Sequence, residues 1–152
     1  MVNFKKAFTL TELILVVLFI GIFAAVSLPR LNYAMGSKRK AAYEVRKIIT
    51  DLRRTRMLAI SEAAANNIGF ELRMTGNSPY LSYEIINRST NNTIDSLAID
   101  PAVTCTGGRK FRFGPLGNVA NGSNDNLVIA AGGKTFTISF ITATGMVKCD
   151  EN

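Results

Sequence analysis

A carboxylate at the mouth of an apolar run is the group in this chain with most chemistry to do. Glu12 stands directly before such a run: from Leu13 to Leu28 every residue is apolar except Gly21 and Ser27. A charge there is costly in an apolar medium and calls for a partner. The plainer role is local, since Thr9-Leu-Thr-Glu12 has capping-box spacing and Glu12 would complete a helix N-terminus. Cys105 and Cys149 are the only thiols. They are either buried free thiols or, in an oxidising space, a disulfide. A bridge would close about 45 residues and stabilise by roughly 4 kcal/mol on the chain-entropy account. There is no His, and neither a general acid–base pair nor a nucleophile constellation can be assembled. No catalytic residue, metal or cofactor is therefore expected, and the chain does not read as an enzyme.

The formal charge of +7 points to an anionic neighbour such as membrane phosphate, nucleic acid or an acidic protein. Placing the charges sharpens this. Lys40, Lys47 and Arg54 form one heptad-spaced row flanked by Glu44 and Asp51, pairs worth a few tenths of a kcal/mol each. Arg39, Arg46 and Arg53 form a second row with no acid at comparable spacing. That row is either a solvated face or a contact for acidic groups on another subunit or on nucleic acid. Arg56 falls instead within the apolar positions, where an unpaired charge would cost several kcal/mol. It needs a carboxylate, with Glu71 and Glu84 as candidates, or backbone carbonyls, and its expected role is structural.

These groups must be positioned by one small domain and one long element, which is what 152 residues allow. The apolar run rises about 24 Å as a helix, against about 30 Å of bilayer hydrocarbon; Phe8 and Leu10 extend it. Pro29 removes a backbone donor and predicts a kink near Ser27. Beyond it Ala41, Ala42, Val45, Ile48, Ile49, Leu52, Ala59, Ile60 and Ala63 fall on one stripe about 120° wide, a helix laid on a core. Continuous from Phe8 to Ala65, the helix would span roughly 87 Å. Asn66 and Asn67 end this pattern and the period changes to two. Strands are predicted at Ile68–Arg73, Tyr80–Ile86, Ile94–Ile99, Lys110–Phe113, Leu127–Ala130, Thr135–Ile141 and Met146–Lys148, separated by Gly, Asn and Pro turns. The expected fold is α+β: a long N-terminal helix, transmembrane and then amphipathic, followed by an antiparallel β-sandwich-like head.

Orientation carries a conflict. Arg30, Lys38, Arg39 and Lys40 outnumber Lys5 and Lys6, which by charge alone puts the C-terminal flank in the cytoplasm. The order of the features, a short basic leader before the run, and the two cysteines favour an exported head, and that is the orientation expected.

Lys5-Lys-Ala7-Phe8-Thr-Leu-Thr-Glu12-Leu resembles the processing site of type IV prepilins and type II secretion pseudopilins. The resemblance implies a membrane peptidase that cuts between Ala7 and Phe8 and N-methylates Phe8. It implies that Glu12, fifth in the mature chain, meets the N-terminal amine of a neighbouring subunit during filament assembly. The family usually carries Gly before the cut, where this chain has Ala7. A second, more diffuse likeness is to the GspH/FimT family of minor pilins and pseudopilins. It rests on Arg56-Met-Leu-Ala59-Ile60, on Phe113-Gly-Pro-Leu-Gly117, on Leu127-Val-Ile129 and Phe136-Thr-Ile138, and on Thr144-Gly145-Met-Val147.

The domains implied are a leader at 1–7, a transmembrane and filament helix at 8–28, an amphipathic helix at 29–65 and a β head at 66–152. The function implied is a structural minor pilin or pseudopilin of a type IV pilus or type II secretion system. It would sit in the inner membrane as a single pass, its head in the periplasm or cell exterior. Its partners would be the prepilin peptidase and methylase and other pilin subunits. The alternative is a DNA-binding minor pilin acting in natural transformation, with Arg39, Arg46 and Arg53 or Arg109, Lys110 and Arg112 as contacts. In family members that bind DNA the basic residues follow the last glycine; here that stretch holds one Lys and two acids, Lys148, Asp150 and Glu151.

Overall fold

Alternating apolar residues pair into eight strands in the computed structural model, which describes residues 9–152 and, of residues 26–35 and 37, the backbone alone. Helix α1 (Leu10–Ser61) comes first. The strands follow as β1 (Phe70–Thr75), β2 (Ser82–Asn87), β3 (Thr93–Ala98), β4 (Thr104–Gly107), β5 (Lys110–Phe113), β6 (Asn126–Ala131), β7 (Lys134–Ile141) and β8 (Met146–Glu151). They form two antiparallel four-stranded sheets, ordered β3-β2-β1-β5 and β4-β6-β7-β8. The chain divides into two compact units, Met1–Met35 and Gly36–Asn152, and α1 contributes to both.

In the second unit the helical stripe and both sheets enter one core. Ala41, Val45, Ile48, Leu52 and Ala59 are buried against Phe70, Leu72 and Met74 of β1, Phe111 and Phe113 of β5, Leu127 and Ile129 of β6 and Ile138 of β7. Phe140 links the two sheets, its ring 5.1 Å from Phe111 and 6.1 Å from Phe113 between centroids. Such aromatic pairs add to plain area burial. α1 stops at Ser61, four residues short of the expected limit, and buried Asn66 makes the exit. Its Oδ1 accepts from the Ile68 and Gly69 N–H groups, while Nδ2 donates to Gly69 O and Asn87 Oδ1. This Asx turn competes with the helix for backbone partners and launches β1.

The expected fold is corrected. Among the described residues no helix is long and apolar enough to cross a membrane. The apolar stretch whose side chains are described, 10–25, rises about 24 Å, short of the roughly 30 Å of bilayer hydrocarbon. The long transmembrane-plus-amphipathic helix with a sandwich-like head is replaced by two units. In the second, two four-stranded sheets share their core with a helical stripe. The leader 1–7, the cleavage pair Ala7 and Phe8, and the Pro29 side chain lie outside the described residues.

Candidate functional site

The first unit presents apolar side chains on every side. Leu10 is 77% exposed and Phe23 70%, and Leu13 to Ile20 and Ile22 are all exposed as well. Thr9 caps this helix: its carbonyl accepts from the N–H groups of Glu12 and Leu13 at 3.1 and 3.2 Å, and its Oγ1 lies 3.4 Å from Glu12 N. Half of the capping box is therefore made, by Thr9. The Glu12 carboxylate is exposed and has no hydrogen bond or ion pair among the described residues.

In the second unit three segments distant in sequence meet at Arg56. Its Nε donates to Gly117 O at 2.9 Å. A Cβ at Gly117 would lie 2.6 Å from Ile60 Cδ1 and 3.2 Å from Arg56 Nε. One at Gly145 would run into the Gly117 carbonyl oxygen, and both glycines have positive φ, +76° and +65°. Arg56, Ile60, Gly117 and Gly145 therefore form one close junction, in which a side chain is excluded at Gly117 by the Ile60 and Arg56 side chains and at Gly145 by the Gly117 backbone. The carboxylate partners expected for Arg56 are not used. Glu71 is engaged at 2.6 Å by both Arg73 and Arg112, so Arg56 takes the backbone carbonyl instead. At 1% exposure, burial pushes the Glu71 carboxyl up. The hydrogen bonds and charges of Arg112 and Arg73 outweigh this and hold it below the usual carboxylate range.

Comparison with family models, curated proteins and solved structures finds no match.

The two basic rows of α1 have different fates. Lys40 pairs with Asp100 at 3.1 Å and Arg54 with Asp95 at 2.8 Å. Lys47 donates to Ala98 O at 2.6 Å and reaches Glu44 at 3.5 Å. Glu44 and Asp51, expected only to flank this row in weak ion pairs, are buried. Asp51 accepts the Tyr83 hydroxyl at 2.5 Å, and burial together with this bond pushes the phenol's pKa up. Sequence reasoning missed this pair. The heptad spacing of Glu44 and Asp51, each next to a buried core residue, Val45 and Leu52, could have signalled their burial but not the Tyr83 partner. Arg39, Arg46 and Arg53 are exposed and make no ion pair among the described residues. Of the cations at β5, Arg112 is committed to Glu71, and the Nε of Arg109, just before the strand, to Met74 O.

The expected disulfide is corrected: Cys105 and Cys149 are free thiols, one buried and one exposed. Cys105 sits on β4 and Cys149 on β8, the two outer strands of one sheet. Three strand spacings put them about 14 Å apart, where a bridge needs Cα atoms within about 7 Å. Burial, with the Glu44 charge, pushes the Cys105 thiol up to about 12. Burial and the neighbouring Asp150 and Glu151 also raise Cys149.

Proposed function

We propose that this chain is a structural pilin-like subunit of the minor pilin or pseudopilin kind, assembled into a filament through its apolar N-terminal helix. The supporting observation is that helix itself. It is apolar on all sides, exposed throughout its described length, and headed by a carboxylate without a partner among the described residues. Apolar surface of this extent needs a cover, and like helices of neighbouring subunits supply one. The partner proposed for Glu12 is the N-terminal amine of a neighbour, freed and methylated at Phe8 by a prepilin peptidase acting after Ala7. Pairing would remove both charges from the apolar surroundings at once. In this reading the protein is held at the inner membrane before assembly, with its head exported to the periplasm or the cell exterior. Its role is structural rather than enzymatic.

Replacing Glu12 with Val tests the pairing. The apolar run is preserved, so leader cleavage should be unchanged while incorporation into filaments is lost. Normal assembly of Glu12→Val would reduce Glu12 to part of a helix cap.

A DNA-binding minor pilin is the second reading, favoured by the exposed row Arg39, Arg46 and Arg53. Retention on DNA should then fall steeply with salt, and Arg46→Ala should weaken it.

A further inference from the structure

Strand edges left open to solvent are templates for pairing with another chain, and on three of the four sheet edges here some outward backbone groups are already engaged. Along β5, Ala120 N–H donates to Arg112 O at 2.9 Å and Asn124 N–H to Lys110 O at 2.7 Å. On β4, Cys105 O accepts from Tyr80 N–H at 2.8 Å. On β3, Lys47 occupies Ala98 O and the Asp95 carboxylate takes the Ser96 N–H. Strand β8 has no such cover among the described residues. Asn152 N–H donates inward to Thr135 O at 2.8 Å. By the alternation of an antiparallel ladder, residues 148 and 150 also point their backbone groups toward β7, whereas Val147, Cys149 and Glu151 point theirs outward.

We infer that β8 is a self-pairing edge, joining β8 of a second copy in antiparallel register about Cys149. A two-fold axis at that residue sets Cys149 against Cys149 and Val147 against Glu151, so the outward N–H and C=O groups of all three bond across the seam. It also sets each Lys148 opposite the other copy's Asp150. Within one chain Lys148 and Asp150 already pair at 2.9 Å on the outer face. In the dimer the four charges alternate in sign, each with an opposite charge both along and across the strands. Opposite charges directly across a ladder stabilise it and like charges oppose it. The sequence Lys148-Cys149-Asp150 is therefore self-complementary in this register, and the occupant of the edge is a second copy of this chain. The inference does not depend on the filament reading, because it concerns the second unit alone.

Cys149 reports on the register. It is exposed, and facing residues of a hydrogen-bonded antiparallel pair have Cα atoms about 5.5 Å apart, within disulfide range. The full-length protein in detergent is treated with copper(II) phenanthroline and air. Two Cys149 thiols give up two protons to solvent and two electrons to copper, forming one S–S bond. A disulfide-linked dimer is expected from the parent and from Cys105→Ser. Lys148→Glu places Glu against Asp150 and should reduce its yield at least fivefold. The double variant Lys148→Asp with Asp150→Lys restores opposite charges across the seam and should restore the yield. No dimer in the parent, or a yield unchanged by Lys148→Glu, or no recovery in the double variant, would each overturn the pairing.

Discussion

Arg56 has its charge satisfied by a backbone carbonyl, which makes its removal different from that of its exposed neighbour Arg53. Losing Arg56 leaves Gly117 O short of a charge-assisted donor, worth about 1.5–3 kcal/mol. Arg53→Ala should change stability by less than about 0.5 kcal/mol. Each variant loses one Arg, so the comparison cancels the change in net charge. Urea melts are expected to place Arg56→Ala clearly below Arg53→Ala, and equal midpoints would mean that the Gly117 bond contributes nothing. Glu71 is predicted to show itself through pH. Its folded carboxyl titrates below the unfolded value of about 4.3. The stability it contributes is therefore full above that value and lost as pH falls through the lower, folded one. Glu71→Gln should be less stable than the parent at neutral pH, with the gap closing in acid below about pH 4. A gap that stays constant down to pH 3 would show that Arg73 and Arg112 gain nothing from its charge.

At the scale of elements, what could be read from the sequence was whatever repeats. The period of two located seven of the eight strands, and the stripe expected from Ala41 to Ala63 is the buried face of α1 as far as Ala59, whereas Ile60 is exposed and Ala63 lies beyond the helix. The remaining strand, Thr104–Gly107, holds one apolar residue, Cys105, between two threonines, and runs into the Gly107-Gly108 turn, so it shows no period. Pairing between distant elements was less legible. Nothing local in Asp51 announces Tyr83, and nothing in two cysteines 44 positions apart says that they stand on opposite edges of one sheet. Arg56, Gly117 and Gly145 were visible in the sequence as three separate motif positions, with nothing to say that the β7–β8 turn closes on Gly117 and Arg56. Gly145→Ala combines a positive φ with a backbone collision and should cost about 2 kcal/mol or more. Gly76→Ala, with a similar φ of +81° and open space around it, should cost about 1 kcal/mol. Thermal melts that rank the two equally would remove the close contact from the account.

For the whole molecule, an exposed apolar helix and a head with its own core divide the labour. The head is stable by burial of its own side chains, whereas the described residues of the first unit's helix, 10–25, have their apolar side chains exposed. That division, more than any single side chain, supports assembly through the N-terminal unit. It also concentrates the central claim on the residues before the helix, where processing would create the amine that Glu12 is proposed to meet. The direct measurement is intact-mass and N-terminal peptide mass spectrometry of the protein isolated from its native cells. The account predicts a chain that begins at Phe8 and is heavier by one methyl group on its N-terminal amine. A mature protein that still carries Lys5 and Lys6 would contradict it.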